Sequence, residues 1–419
     1  MREMKDSGIE WVGAIPNHWR VSKIKQIVRW KSVKGQPDLP VLSLYRDYGV
    51  IPKDSRDDNH NVTSLDTSGY KVVEHGDLVI NKMKAWQGSL AVSEYNGIVS
   101  PAYHICKITS ENICKKYLHY LLRDASYLPE YMRLSTGLRV GQWDLSFDDF
   151  KNIPFLVPPL AEQERIAAFL DAECAEIDAV LEKTRASIEE YKKLKQAVIT
   201  QAVTKGVRGD RPMKDSGIEW IGDIPAEWDV LNLVAHTSML TPMRDRPENL
   251  DGPIPWVRIE DFEGKYIESS KAGLGVSMKT VKEMNLKVYP VGTILCTSSC
   301  IMGKCAIVSR ELVSNQRFIG IIPDRTTDKT YLYYLMTSNA ERMNFLSTGA
   351  LQANLSRSAF EHLKVQFPPY SEQQEIAAYL DDKCEKIDEL ILKKQQYLTE
   401  IENYKKSLIY EYVTGKREV

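Results

Sequence analysis

Residues 158–203 read PPLAEQERIAAFLDAECAEIDAVLEKTRASIEEYKKLKQAVITQAV, and the rest of the chain is organised around them. The paired prolines mark a helix start, since proline fits a first turn but breaks an interior. Neither glycine nor proline follows until Gly206. At the helical rise, roughly 43 residues make a rod ~65 Å long, longer than a small domain is wide. Mostly apolar residues fall on two heptad rows: Leu170, Ile177, Thr184, Tyr191, Val198, and Cys174, Leu181, Ile188, Lys195, Ala202. Two such rows make a coiled-coil seam, and a seam needs a partner helix.

The same chain supplies that partner. Residues 368–413 read PPYSEQQEIAAYLDDKCEKIDELILKKQQYLTEIENYKKSLIYEYV. Shifting each seam position by 210 gives Leu380, Ile387, Lys394, Ile401, Leu408, and Cys384, Ile391, Leu398, Lys405, Tyr412. Even the polar intrusion Lys195 returns, as Lys405. Two amphipathic helices, each docked on its own domain, are the alternative; a repeated register with a repeated flaw speaks against them.

Charge sets the direction of pairing. Each helix is acidic in its first half (Glu162, Asp171, Glu176, Asp178; Glu372, Asp381, Glu385, Asp388) and basic in its second (Lys183, Arg185, Lys192, Lys195; Lys393, Lys394, Lys405, Lys406). That order suits the helix dipole. Laid antiparallel, acidic halves meet basic halves. Exposed pairs contribute roughly a few tenths of a kcal/mol each, so they choose orientation and do not supply stability.

The duplication covers the whole chain. Residues 4–21 read MKDSGIEWVGAIPNHWRV, and residues 213–230 read MKDSGIEWIGDIPAEWDV. Trp11 and Trp19, like Trp220 and Trp228, are expected to pack a turn built on Gly13 and Pro16, or Gly222 and Pro225, as structural residues. Between these openings and the helices lie divergent stretches with short apolar runs, which read as strands. Gly76-Asp77-Leu78-Val79-Ile80 matches Gly292-Thr293-Ile294-Leu295-Cys296, and Ser135-Thr136-Gly137 matches Ser347-Thr348-Gly349. Residues 117–123 and 331–338 read as short helices.

The fold class is therefore α+β: two mixed α/β domains, each with a curved sheet, separated by two long helices in an antiparallel intramolecular coiled coil, duplicated about a pseudo-twofold. The expected segments are 1–156, a first domain; 157–207, the first long helix; 208–366, a second domain; and 367–419, the second long helix. Residues 204–212 read as a linker. Antiparallel pairing brings residue 1 near residue 419 and sets the two domains at opposite ends of the rod.

Composition agrees with this plan. A chain of 419 residues exceeds one ordinary domain, and its 43% hydrophobic content suffices for packed cores. No apolar run approaches a membrane span, and the opening MREMKDSGIEW lacks the apolar core of a secretory signal. Seven cysteines without framework spacing fit reduced thiols, so a cytoplasmic location is expected. A net charge of −2 means that any nucleic-acid grip must come from local basic patches or from other subunits.

A fixed frame carrying two differing heads suits the reading of two sequences a set distance apart along DNA. Here the chain resembles the specificity subunit of type I restriction–modification enzymes. The resemblance rests on WVGAIPNHW and WIGDIPAEW, on PPLAEQERIAAFLD and PPYSEQQEIAAYLD, and on GDLVINKMKAWQGSLAV and VSNQRFIGI inside the variable stretches. It implies that the two variable domains are target-recognition domains, each reading one half of a split, asymmetric site in double-stranded DNA. It implies that the helices measure the unread gap and dock two methyltransferase subunits, with a further restriction and motor subunit. S-adenosylmethionine is then expected on the methyltransferase partner. This chain is expected to hold no cofactor and no metal, and to catalyse nothing.

The sequence offers little to oppose that. Gln366-Phe367-Pro368-Pro369-Tyr370 looks like an adenine-methylase motif, but it lacks the polar residue before the prolines. No Gly-x4-Gly-Lys-Ser/Thr phosphate loop is present. Cys296, Cys300 and Cys305 do not follow a zinc spacing and read as strand residues.

Base readout needs polar and basic side chains on loops. In the first domain the candidates are Lys82, Lys84 and Gln87, after the strand 78–80, then Arg139 and Gln142. In the second they are Arg258, Ser298, Ser299, Lys304, Gln316, Arg317, Gln352, Asn354 and Arg357. Each taken singly could equally be a solvated surface group. A stand-alone two-headed DNA-binding protein and a coiled-coil protein scaffold remain as alternatives. The first predicts DNA binding without partners; the second predicts none even with them.

Overall fold

The computed structural model describes residues 2–46, 48–56, 63–64, 66–139, 142–242, 245–299, 302–346 and 355–419, without the side chains of Leu138, Arg139 and Gln142. The chain divides into two compact units. Unit 1 joins Met1–Arg185 to Gln396–Val419, and unit 2 is Ala186–Gln395. This division differs from segment boundaries at 157, 208 and 367, because each unit takes part of both long helices into its core.

The long helices run Leu160–Lys205 and Tyr370–Val413. Within unit 1 the two helical stretches are antiparallel: Asp178 meets Lys405 at 2.6 Å, Arg185 meets Glu402 at 2.8 Å, and the Phe169 and Tyr412 rings lie 4.5 Å apart. Within unit 2, Lys195 meets Asp388 at 2.6 Å and the Lys394 ammonium sits 5.6 Å from the Tyr191 ring centre. Residue numbers rise on one helix as they fall on the other, as charge order predicts. The seam residues face inward. Leu170, Ile177, Leu181 and Leu408 are buried in unit 1, with Leu398 and Ile401 half-buried. In unit 2, Ile188, Leu380 and Ile387 are buried, and Tyr191, Val198 and Ile391 are half-buried.

Each unit builds a sheet beside its helices. Unit 1 has a four-stranded antiparallel sheet in the order Val28–Lys31, Tyr103–Ile108, Asp77–Asn81, Leu90–Val92. Unit 2 has five strands in the order Thr237–Leu240, Phe318–Pro323, Ile294–Thr297, Cys305–Val308, Tyr266–Ile267, the last pair being parallel. The short helices Lys115–Arg123 and Lys329–Ser338 pack under them. Helices at Leu128–Leu134, Met278–Glu283 and Ala340–Leu346 were not legible in the sequence. Cys296 and Cys305 are buried cross-strand partners; Cys300 lies outside the described residues.

The repeated openings serve as mounts. Trp19 and Trp228 are fully buried. The strand following each Trp, Arg20–Lys23 or Asp229–Asn232, pairs with the strand entering each helix, Pro154–Val157 or Lys364–Phe367. One turn into the first helix, buried Gln163 donates to the carbonyls of Pro158 (2.8 Å) and Asn112 (3.1 Å) and accepts from the Cys114 amide (2.9 Å). Gln373 repeats this with Pro368 (2.9 Å), Thr326 (3.1 Å) and the Asp328 amide (2.8 Å). The first Trp of each opening behaves differently. Trp11 packs edge-on to Tyr127 at 6.1 Å, whereas Trp220 is 44% exposed beneath the Arg342 guanidinium at 3.8 Å. The residue just before the helix Leu128–Leu134 is Tyr127, whereas the one before Ala340–Leu346 is Asn339, which offers Trp220 no ring.

Inside unit 1 the two ends of the chain meet. Arg2 lies 3.3 Å from Glu418, and the Lys416 ammonium donates to the Val12 carbonyl at 3.0 Å. In unit 2, residues 204–212 are not a free linker. The helix continues to Lys205, and Arg208 and Arg211 pair with Glu375 (2.8 Å) and Glu372 (2.6 Å).

Two outcomes are expected. Leu380→Ala, at a fully buried seam position, should cost about 2–5 kcal/mol in denaturant unfolding. Lys195→Ala removes a part-exposed ion pair and should cost under about 1 kcal/mol; equal penalties would mean that polar pairing holds the seam. The second concerns acid. Burial would raise the Glu162 carboxyl, but hydrogen bonds from His18 and Arg2 and the Arg2 charge outweigh it and hold it below its ordinary value of 4.5. A depressed carboxylate adds stability above its unfolded value and loses it as pH falls through the folded one. The stability lead over Glu162→Gln should be full at neutral pH and close below about pH 4.5; a lead constant down to acid unfolding would refute the linkage.

Candidate nucleic-acid interface

In both units the sheet ends at a three-way junction of loops. In unit 1 the central strand Asp77–Asn81 runs into residues 81–88. The Lys82 amide donates to the Ala102 carbonyl at 3.2 Å, and the Lys82 carbonyl accepts from the Leu145 amide at 3.0 Å. In unit 2 the same links recur: Ser298 donates to the Arg317 carbonyl at 2.8 Å and accepts from the Leu355 amide at 2.9 Å. Three stretches distant in sequence thus meet at one sheet edge in each unit. The backbone repeats, while the side chains it displays differ.

The loops close on glycines in the left-handed region. Gly88 has φ 83°, and a Cβ there would meet Leu128 Cδ2 at 2.7 Å. Gly303 has φ 75°, and its Cβ would meet the Ala340 Cβ at 2.4 Å. At Gly303 helix backbone stands in the way as well, Ala340 Cα at 2.5 Å, so a side chain there is opposed by both sterics and φ; at Gly88 the left-handed φ is the stronger constraint.

Unit 1 displays exposed Lys84 and Gln87 at the loop tip. Lys82 is held back, its ammonium 3.0 Å from Asp144. Arg139 and Gln142 face each other across the hairpin Ser135–Arg139 and Gln142–Leu145, but their side chains lie outside the described residues. In unit 2, Gln316 and Arg317 are exposed at the junction, and Ser298 is half-buried beside them. Arg258 follows the strand Ile254–Val257, whose parallel neighbour is Val313–Ser314, and its guanidinium pairs with Glu260 at 3.0 Å. Lys304 is exposed, with its ammonium 6.0 Å from the Phe262 ring centre. Arg357 sits on the short helix Arg357–Glu361 and bonds Glu361 at 2.7 Å, away from the loop tips in its contacts. Ser299 is buried. Gln352 and Asn354 lie outside the described residues.

Other groups at the unit 1 edge escaped the sequence reading. Trp86 and Trp143 meet edge to face at 5.1 Å, locking the loop to the hairpin, and Met83 is exposed between Lys82 and Lys84. The run Lys-Met-Lys-Ala-Trp, basic residues interleaved with apolar ones, was the available signal. His104, behind the edge, bonds the Leu145 carbonyl at 3.2 Å. Burial first, then the charges of Lys71 and Lys82, hold it below its ordinary value of 6.5, against the opposing pull of the Leu145 carbonyl. Among the described residues, no three His, Cys, Asp or Glu side chains group as they would around a metal. None of the described helices is long and apolar enough to cross a membrane.

Comparison with known proteins follows the same lines. The family model described as "Type I restriction modification DNA specificity domain" matches twice, over residues 16–190 and 229–403. The MjaIX specificity subunit of Methanocaldococcus jannaschii, a type I restriction enzyme, is 36% identical over 39% of this chain and 40% of its own length. The putative MjaX specificity subunit of the same organism is 24% identical over 97% of this chain and 96% of its own. Among solved structures, a chain described as "Structural basis underlying complex assembly and conformational transition of the type I R-M system" superposes with a TM-score of 0.73 at 14% identity, covering 96% of this chain and 99% of that one. At that identity it shows a shared fold.

If Lys84 reads a base, Lys84→Ala should weaken binding to DNA carrying the first half-site by roughly 1–3 kcal/mol, measured by titration of the assembled complex. Unchanged affinity and unchanged salt dependence would remove Lys84 from the interface.

Proposed function

The chain belongs to the type I restriction–modification DNA specificity family, and from that premise we propose how its parts divide the work. It is a specificity subunit with two target-recognition domains, and it recognises DNA without catalysing a reaction. Each recognition domain reads one half of a split, asymmetric site in double-stranded DNA. The long helices fix the unread gap and dock two methyltransferase subunits, which bring S-adenosylmethionine; a restriction and motor subunit completes the complex. The chain works in the cytoplasm.

One observation carries the recognition half of this reading. The same backbone junction presents Lys84 and Gln87 in one unit and Gln316 and Arg317 in the other. A conserved mount with different displayed donors and acceptors is what reading two different half-sites requires, because base edges are told apart by such groups.

The docking half is supported by the heptad row beside the seam. Unit 1 exposes Val180 (39%), Tyr397 (49%) and Tyr404 (53%) on that row. The Asp178–Lys405 contact sets Val180 beside Tyr404. Unit 2 exposes Leu390 (41%) and Leu194 (48%), which are the residues 210 positions from Val180 and Tyr404. The opposite flank is charged and bridged by Arg185–Glu402 at 2.8 Å. Exposed apolar residues at a regular spacing mark an interaction face, and two equivalent faces suit two equal partners.

The test is to co-express the chain with the methyltransferase subunit of its host and map N6-methyladenine in exposed DNA. A single split motif, lost when this chain is omitted, is the expected outcome and would give both half-sites and the gap. A stable complex without sequence-specific methylation would overturn the recognition reading and favour a protein scaffold. Absence of any complex would overturn the docking reading.

A further inference from the structure

We propose that Lys71, together with Lys34 and Lys82, forms a seat in unit 1 for one phosphate of the DNA backbone. The proposal rests on the reading that this domain binds DNA. Lys71 opens the strand Lys71–Val73 and is only 8% exposed. Lys34 lies directly across from it in an antiparallel bridge, held by a 2.8 Å bond from the Val72 amide to the Val33 carbonyl. The Lys71 ammonium donates to the Tyr103 carbonyl. Tyr103 pairs with Asn81, the first residue of the reading loop, and the carbonyl before it, that of Ala102, receives the Lys82 amide. Three lysines from three separate stretches therefore converge behind the edge that displays Lys84 and Gln87.

The arrangement is unfavourable in the free protein. Burial first, then repulsion from Lys34 and Lys82, pull the Lys71 ammonium below its ordinary value of 10.5, with Cys106 acting in the opposite sense. The Asp144 carboxylate, 3.0 Å from Lys82, offsets one of the three charges and leaves those of Lys71 and Lys34 for the incoming anion. Packing alone would favour an apolar residue at this position, as at fully buried Val73 two residues on. An ammonium has three donors, and the Tyr103 carbonyl takes one, leaving donors for an incoming anion. A phosphate would supply the missing charge, in the way that lysines commonly hold phosphates, as point charges. The seat belongs to unit 1. At the matching position, five residues before Gly292 as Lys71 is before Gly76, unit 2 has Lys287, whose ammonium bonds the Asn285 side chain at 3.2 Å at an exposed site.

Phosphate contacts carry no sequence information, so their loss has a signature distinct from that of a lost base contact. The complex with its methyltransferase partner would be titrated with a duplex carrying the first half-site and with an unrelated duplex, across a salt series. Lys34→Ala, an exposed change that leaves the fold alone, and Lys71→Met, which preserves side-chain length, should each reduce the slope of log K against log salt by about 0.9. Affinity should fall by the same factor on both duplexes, and Lys71→Arg should keep the original slope. An unchanged slope in both charge-removing variants would overturn the seat, and so would a loss confined to the cognate duplex. A native complex that binds neither duplex would instead overturn the DNA-binding reading beneath it.

Discussion

Burial of the heptad seam is the interaction on which the other features depend. A helix with two apolar rows has no stable existence in water alone, and each row here is closed by the other helix of the same chain. Leu170, Ile177 and Leu181 in one unit, and Leu380, Cys384 and Ile387 in the other, are all removed from solvent. Each such aliphatic side chain contributes about 1.5–3 kcal/mol when buried, against less than about 1 kcal/mol for an exposed ion pair. Apolar area therefore holds the helices together, and charge decides how they lie. Lys195 and Lys405 are polar groups on an otherwise apolar seam, and each reaches a carboxylate across it, Asp388 or Asp178. A slide by one heptad in one direction would set them opposite Gln395 and Arg185, whereas the other direction would set them opposite Asp381 and Asp171, so these polar seam residues exclude one of the two slips.

Seam burial leaves the helix starts as the places where the heads can be fastened. Gln163 and Gln373 fill the same role with the same three bonds, reaching from the first turn of each helix into its domain. Asp171 and Asp381 add a second fastening, each taking a tyrosine hydroxyl, from Tyr120 at 2.8 Å and Tyr334 at 2.7 Å. Each also takes a lysine, but from unrelated elements: Lys116 from a helix in one unit, and Lys265 from a loop beside an edge strand in the other. The same electrostatic need has been met twice by different routes. What the domains display at their far edges is under no such constraint.

The parts of this architecture that repeat were legible because a repeat is its own control. Seam positions, helix starts and the buried Trp19 and Trp228 could all be read from residue type and spacing. The junction of loops could not. Lys82, Ala102 and Leu145 are brought together by sheet pairing across more than one strand, and nothing local marks that meeting. Ser299 is a candidate reader because serine is polar, yet the fold buries it. Lys71 looked like nothing, because a lone lysine at the start of a short apolar strand gives no hint of the lysines that the sheet will bring beside it. Long-range pairing decides which polar groups share a surface, and periodicity is blind to it.

The composition of unit 1 has a consequence for the order in which the chain can acquire its structure. Unit 2 is one continuous segment, Ala186–Gln395, whereas unit 1 needs residues from both ends of the chain. The core of unit 1 includes Leu408, Tyr412 and Val413, and the fully buried Tyr117 hydroxyl donates to the Val413 carbonyl at 3.0 Å. Domains fold as units while synthesis proceeds from the N-terminus. Here the domain begun first is completed after the other: its apolar floor stays open until Leu408, Tyr412 and Val413 have been made, once the segment Ala186–Gln395 is already whole.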